Sequence, residues 1–214
     1  MISIIMPSFL GLYKHCASDR DLKIVRAIES VLNQSFEDWE LMVVADGCKQ
    51  TVEIVRGFSD KRIRGLHIEK KVLFSGTPRN TGIYFSKGEY IVYLDVDDMF
   101  GKDHLKKIVS QVKDYDWVWF YDRSYNVKKQ KTGFIKNPQF EDFDIHETSI
   151  HVRGRCGTSN IAHKRSMNVW WPKQGTYFQD YILINTLKAA SKNYGFLNDT
   201  PEYLICHVPQ LLDI

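Results

Sequence analysis

The 214-residue chain has no long apolar run, and nowhere approaches the ~20 apolar residues that a membrane-spanning helix needs. The opening Met1-Ile2-Ser3-Ile4-Ile5-Met6-Pro7 is apolar, but it is far too short for a signal peptide and carries no basic region. The sequence therefore reads as a soluble chain with no membrane span. Cysteine is scarce. Cys16, Cys48, Cys156 and Cys206 are widely spaced and form no CxxC pair, which argues against a zinc site and a disulfide framework. Reduced cysteines of this kind suit the cytoplasm. Charge of one sign is also lacking. The net charge of +3, from 29 Lys and Arg against 26 Asp and Glu, is too small to indicate a nucleic-acid partner. The basic run Lys128-Lys129-Gln130-Lys131 reads as a solvated hairpin tip, with a phosphate or glycan contact as the alternative. Internal repeats and low-complexity segments are absent. What is present fills a core: 43% of residues are hydrophobic and 13% aromatic, at a length that allows one large domain.

The chain is organised around Tyr90-Ile91-Val92-Tyr93-Leu94-Asp95-Val96-Asp97-Asp98. An apolar and β-branched run that ends in three carboxylates reads as a buried strand of a parallel sheet. Ligands of open α/β sheets sit beyond the carboxyl ends of the strands. Along an extended backbone, Asp95 and Asp97 would face the same way. Carboxylates this close repel one another without a cation, and hard oxygen donors suit Mg²⁺ or Mn²⁺ held jointly with substrate phosphates. The alternative is an acidic loop capping the next helix, and Asp98 could do only that.

Around this stretch the first half alternates. Strands are expected over residues 2–6, 41–45 and 63–68, and helices over 21–34, 50–58, 79–87 and 103–113. That alternation is the pattern of a parallel α/β sheet. Past residue 115 the texture changes. A strand over 117–121, a hairpin of 124–127 with 132–135, a loop over 137–153, a strand over 158–162, a helix over 177–192 and strand segments over 194–207 are expected. The division falls near residue 115, between a nucleotide-type half (1–115) and an acceptor-side half (116–214).

Several further residues stand where chemistry could occur. Asp46 ends a second buried strand and could accept from a ribose hydroxyl or a base N–H; otherwise it is the Asp of an Asp46-Gly47 turn. Arg79 sits at a helix start, where the dipole disfavours it, so a phosphate or an acid such as Asp46 should compensate it. Thr176-Tyr177-Phe178-Gln179 fits a capping box, which puts Asp180 in the first turn on the inward face. An inward carboxylate there suits a general base, or simply the helix dipole. His207 follows an apolar segment and is either a core histidine or a metal ligand. Trp170 and Trp171 could stack on a sugar or pack in the core.

Together these residues resemble a family 2 glycosyltransferase of GT-A fold over most of the chain, most strongly over 1–105. Ile4-Ile5-Met6-Pro7-Ser8 is similar to the family's opening strand, and Val31 to Leu41 to its first helix and turn. Val43-Val44-Ala45-Asp46-Gly47 resembles the second strand, Pro78-Arg79-Asn80-Thr81-Gly82 the Arg-Asn-x-Gly segment, and Asp95-Val96-Asp97 the Asp-x-Asp motif. Gln179 departs from the usual glutamate, Cys48 from a common serine, and residues 115–175 match nothing in detail. The resemblance implies a mostly parallel central sheet flanked by helices, in a single domain over 1–214. It implies a nucleotide-sugar donor, UDP-linked by family habit, bound by Pro7, Ser8, Asp46, Arg79 and Asp95. It also implies Mn²⁺ or Mg²⁺ on Asp97, Asp95 and His207, and Asp180 as the base of an inverting transfer. The sugar, a hexose or deoxyhexose, would pass to a hydroxyl of a glycan or glycoconjugate acceptor, in polysaccharide or glycoprotein glycan synthesis. Two readings compete. One is a haloacid-dehalogenase-like phosphotransferase with Asp95 as nucleophile, although such a strand usually comes first in its domain. The other is a catalytically silent nucleotide- or glycan-binding module, which Gln179 keeps open.

Overall fold

The computed structural model describes residues 1–11, 19–70, 74–126, 138–173, 177–199 and 201–206. The first half alternates as its sequence pattern requires: β1 (Ile2–Ser8), α1 (Arg20–Leu32), β2 (Trp39–Asp46), α2 (Lys49–Arg56), β3 (Ile63–Ile68), α3 (Gly76–Phe85) and β4 (Tyr90–Tyr93). Then follow β5 (Met99–Phe100), α4 (His104–Val112), β6 (Trp117–Trp119), β7 (Asp122–Tyr125), β8 (Phe143–His146), β9 (Ile161–Lys164), α5 (Gln179–Ala190), β10 (Tyr194–Phe196) and β11 (Tyr203–Ile205).

Every residue of β1 and β2 is buried, as expected of central strands covered on both faces. Alternation sends Ile2, Ile4 and Met6 to one side, where Ile24, Ala27, Ile28 and Val31 of α1 meet Val55 of α2 and Leu105, Ile108 and Val112 of α4. Ile5 points to the other side, into a core with Ile83 of α3, Tyr93, Trp117, and Leu183, Ile184 and Leu187 of α5. The main sheet has seven strands in the order β10-β6-β9-β4-β1-β2-β3. Its pairs are parallel except that β9 runs antiparallel to both β4 and β6. The acceptor-side half, whose pattern looked irregular, thus contributes three strands to this sheet. A smaller sheet, β5-β11-β7-β8, lies beside it.

The strand order reverses at β1: β2 lies on one side and β4 on the other. Such a switch point opens a crevice at the carboxyl edge. α3 reaches it because Gly82 lets the helix lie close against the sheet; a Cβ there would come within 2.7 Å of Ile5 Cγ2. Gly82→Val should therefore cost about 1–3 kcal/mol, the usual penalty of overpacking. A urea midpoint equal to wild type, at unchanged slope, would refute that close approach.

Three local expectations are corrected. α3 begins at Gly76 rather than near residue 79, so Pro78 is its third residue. α5 begins at Gln179, after Phe178 in a left-handed conformation (φ 64°), and Thr176 of the expected capping box lies outside the described residues. β7 pairs with β8, from the stretch expected to be loop, with Asp122 opposite His146; residues 132–135, the expected hairpin partner, lie outside the described residues. β8 reads Phe-Asp-Ile-His, too polar and short to announce itself, and its pairing comes from its tertiary partner.

Candidate active site

At the carboxyl edge, the register brings the ends of β1, β2 and β4 together: Ser8 pairs with Ala45, one residue before Asp46, and Ile5 with Tyr93, two residues before Asp95. Ser8 is buried, its hydroxyl 2.8 Å from that of Thr51. Asp46 is 6% exposed and is paired with Lys70 at 2.7 Å. Gly47, at φ 72°, lets the chain turn there, and the Lys70 ammonium stands 4.0 Å over the Phe9 ring. An acid, a cation and an aromatic face thus share the β1–β2–β3 end. Asp46 is not the acid beside Arg79; its partner is Lys70.

Arg79 pairs with Asp95 instead, Nη2 donating to Oδ1 at 2.7 Å. The same nitrogen donates to Thr158 Oγ1 at 3.1 Å, and Nη1 donates to Ser75 Oγ. The guanidinium centre lies 4.6 Å from the Trp171 ring. Thr158 Oγ1 in turn donates to Asp180 Oδ1 at 2.8 Å. A single 3₁₀ turn, Thr158–Asn160, therefore couples Asp180 of α5 to Arg79 of α3 and Asp95 after β4. These side chains line one cavity of about 280 Å³, together with Phe178 and Tyr177. Asp95 and Asp180 each keep one carboxylate oxygen without a protein partner among the described residues. Burial pushes the Asp95 carboxyl above its usual range; Arg79 opposes this, and Asp97 and Asp180 add to it.

The three carboxylates after β4 are not equivalent. The strand ends at Tyr93, and Asp98 N donates to Asp95 O at 3.1 Å, so residues 95–98 form a turn. Turn geometry, rather than strand alternation, places Asp95 and Asp97. Asp98 is 6% exposed, and both its oxygens are taken, by Tyr203 Oη at 3.0 Å and Cys206 N at 2.8 Å. Burial, then Asp97 and Asp95, push its carboxyl well up. Asp98 anchors β11; it does not cap α4. Tyr203 Oη also accepts from Asp95 N at 3.0 Å, which orients the turn. The Asp97 carbonyl is held by Arg26 at 2.6 Å.

Not every expected residue converges here. Trp171 is buried, edge-on to Tyr93 at 5.3 Å. Trp170 is 39% exposed and lines a separate hollow of about 490 Å³ with Tyr84 and Phe85. His207 lies outside the described residues. Thr158, Tyr203 and Lys70 had not been singled out in the sequence; none stands in a motif, and each enters the site through a tertiary contact.

A family model for glycosyl transferase family 2 matches residues 3–179. The chain belongs to glycosyltransferase family 2. It is 29% identical over 217 residues to glycosyltransferase GlyG of Streptococcus pneumoniae serotype 4, covering 93% of this chain and 68% of GlyG. Among solved structures it is similar to S. aureus TarS, with a TM-score of 0.72 at 18% identity, covering 95% of this chain and 60% of that one. It is also similar to the mannosyltransferase PcManGT from Pyrobaculum calidifontis in complex with GDP-Man and Mn²⁺, at 0.61 and 15%, covering 96% and 56%. The fold is GT-A, an α/β architecture with a mixed, mostly parallel sheet. Membership in this family displaces the phosphotransferase alternative. No described helix is long and apolar enough to cross a membrane.

The family's divalent cation can be tested against these residues. Among the described residues no group of three His, Cys, Asp or Glu could hold a metal. With Asp98 committed to β11, the remaining protein donors are Asp97 and one oxygen of Asp95. One or two carboxylates completed by substrate phosphates is how Mg²⁺ is commonly bound, so the donor set fits a cation shared with a diphosphate rather than a cage of protein ligands.

Proposed function

We propose that this domain transfers a hexose or deoxyhexose from a nucleotide sugar, UDP-linked, to a hydroxyl of a glycan or glycoconjugate, with inversion. The observation that supports the reading is the chain Asp95–Arg79–Thr158–Asp180, which joins Asp95, the carboxylate proposed for the cation, and Asp180, the proposed base, in one cavity at the switch point. TarS has been solved with UDP and with UDP-GlcNAc.

Phe9, Asp46 and Lys70 would receive the nucleoside, with Pro7 and Ser8 forming the floor beside them. Asp97 and Asp95 would hold Mn²⁺ or Mg²⁺, which when bound supplies positive charge to the departing nucleoside diphosphate. Arg79 fixes Asp95 and adds a second positive charge at the diphosphate side. Asp180, held at one oxygen by Thr158, uses the other to take the proton of the acceptor hydroxyl. That oxygen attacks the anomeric carbon from the face opposite the leaving phosphate. The new glycosidic bond forms as the sugar–phosphate bond breaks, and its electron pair leaves with the diphosphate. The single displacement inverts the anomeric centre.

Isothermal titration with UDP, GDP and dTDP, each with Mn²⁺ and with chelator, tests the donor side. One nucleotide should bind, and only with the metal. Binding of none of the three would reject the donor assignment. Metal-dependent binding without turnover on any acceptor would favour the silent module.

A further inference from the structure

Beside the Asp180 cavity stands a cationic loop that the transfer chemistry leaves unused. Its base is firmly attached. Thr148 Oγ1 donates to Phe120 O at 3.1 Å, and Ile150 is buried with its carbonyl accepting from Lys188 Nζ at 2.6 Å. Gly157 N donates to Asn160 Oδ1 at 2.9 Å. The tip is closed by Ser149 N to Arg155 O at 2.8 Å and Arg155 N to Val152 O at 3.2 Å, with Gly154 turning at φ 78°. His151, Val152, Arg153 and Arg155 are all exposed on it. The two acids nearest in sequence, Asp144 and Glu147, precede the buried Thr148, so the tip carries two positive charges and no negative one.

The tip also faces the site. The Arg153 guanidinium lies 3.6 Å over the ring of Phe178, which lines the Asp180 cavity. Arg153 is exposed, so its N–H groups remain open to solvent. Among the described residues no carboxylate pairs with Arg153 or Arg155. A planar fork of this kind matches phosphate, and cations on a pre-ordered loop lose little entropy on binding it. Phe178 and Tyr177, 46% and 77% exposed, offer aromatic faces beside it.

We propose that Arg153 and Arg155 form an anion subsite on the acceptor side, and that the acceptor is a phosphate-bearing glycan or glycoconjugate. The subsite lies on the Asp180 flank of the cavity, whereas the donor's diphosphate belongs at Asp95 and Asp97. This inference rests on the transferase reading above and names the acceptor class for it.

The test is a titration of the full chain, labelled with ¹⁵N at arginine, with glycerol 3-phosphate and with glycerol, both with and without saturating UDP and Mn²⁺. Glycerol 3-phosphate should shift the Arg153 and Arg155 Nε signals saturably, and glycerol should not. Affinity should fall about tenfold in Arg153→Gln/Arg155→Gln, the loss expected for charge-assisted bonds at an open site. UDP and Mn²⁺ should leave the response unchanged. No saturable shift, equal affinity in the double variant, or displacement by UDP and Mn²⁺ would each overturn the subsite; the last would give these arginines to the donor. UDP binding without a phosphate response removes only the subsite. A phosphate response in a chain that does not bind UDP removes only the donor reading.

Discussion

Asp180→Asn should lower turnover by about 10²–10⁴-fold while leaving nucleotide affinity unchanged. The amide keeps the shape of the side chain, and its oxygen can still accept from Thr158, now 2.8 Å from Asp180. The Arg79–Asp95 pair is therefore undisturbed, and the donor side should bind as before. What the amide cannot do is take a proton. Nucleoside diphosphate release in the presence of donor and acceptor reads the first effect, and titration calorimetry the second. Unchanged turnover would remove Asp180 from the base role and reopen a retaining mechanism. A loss of nucleotide affinity equal to the loss of rate would instead make Asp180 part of the donor site, coupled through Thr158.

The parts of this site that the sequence made legible are those carried by local pattern. β1 and β2 are runs of apolar residues because both their faces are covered, and such runs can be seen without a structure. Asp46 and Asp95 follow such runs, so their place at the sheet edge could be read. Asp180 was legible from its spacing to Leu183, Ile184 and Leu187, all of which are buried. The residues that join these acids were not. Thr158 meets Asp180 across 22 positions and Arg79 across 79, and Tyr203 meets Asp95 across 108. No periodicity spans such distances. That an acid meets Arg79 was legible, but not that it is Asp95 rather than Asp46: helix spacing shows which face turns inward, not which strand end that face will meet. The Asp-x-Asp segment shows the limit at short range. A turn closed from Asp98 N to Asp95 O replaced the extended geometry that its apolar lead suggested.

That turn makes opposite demands on neighbouring carboxylates, and so predicts opposite phenotypes for two substitutions one residue apart. Asp97→Ala should abolish metal-dependent nucleotide binding, by at least about 10²-fold, since losing a ligand should cost no less than losing the groups that orient one. Without metal its effect on the fold should be the smaller of the two. Asp97 raises the carboxyls of Asp95 and Asp98, so removing its charge relieves repulsion among the three. Its main-chain contact with Arg26 survives, while its attraction for the buried Lys23 is lost. Asp98→Ala should do the reverse. It leaves Tyr203 Oη and Cys206 N buried and without their acceptor, at about 1–3 kcal/mol for each abandoned donor. Thermal scans with and without Mn²⁺ and UDP separate the two. Asp97→Ala should melt closer to wild type than Asp98→Ala does in chelator, and gain nothing from metal and nucleotide. Asp98→Ala should melt lower in chelator and still respond to them. If both variants lost the response with unchanged melting in chelator, Asp98 would be a ligand rather than the anchor of β11. β11 would then be held by its pairing with β5 and β7 and by the Glu202 carbonyl, which accepts from Gly101 N at 2.7 Å.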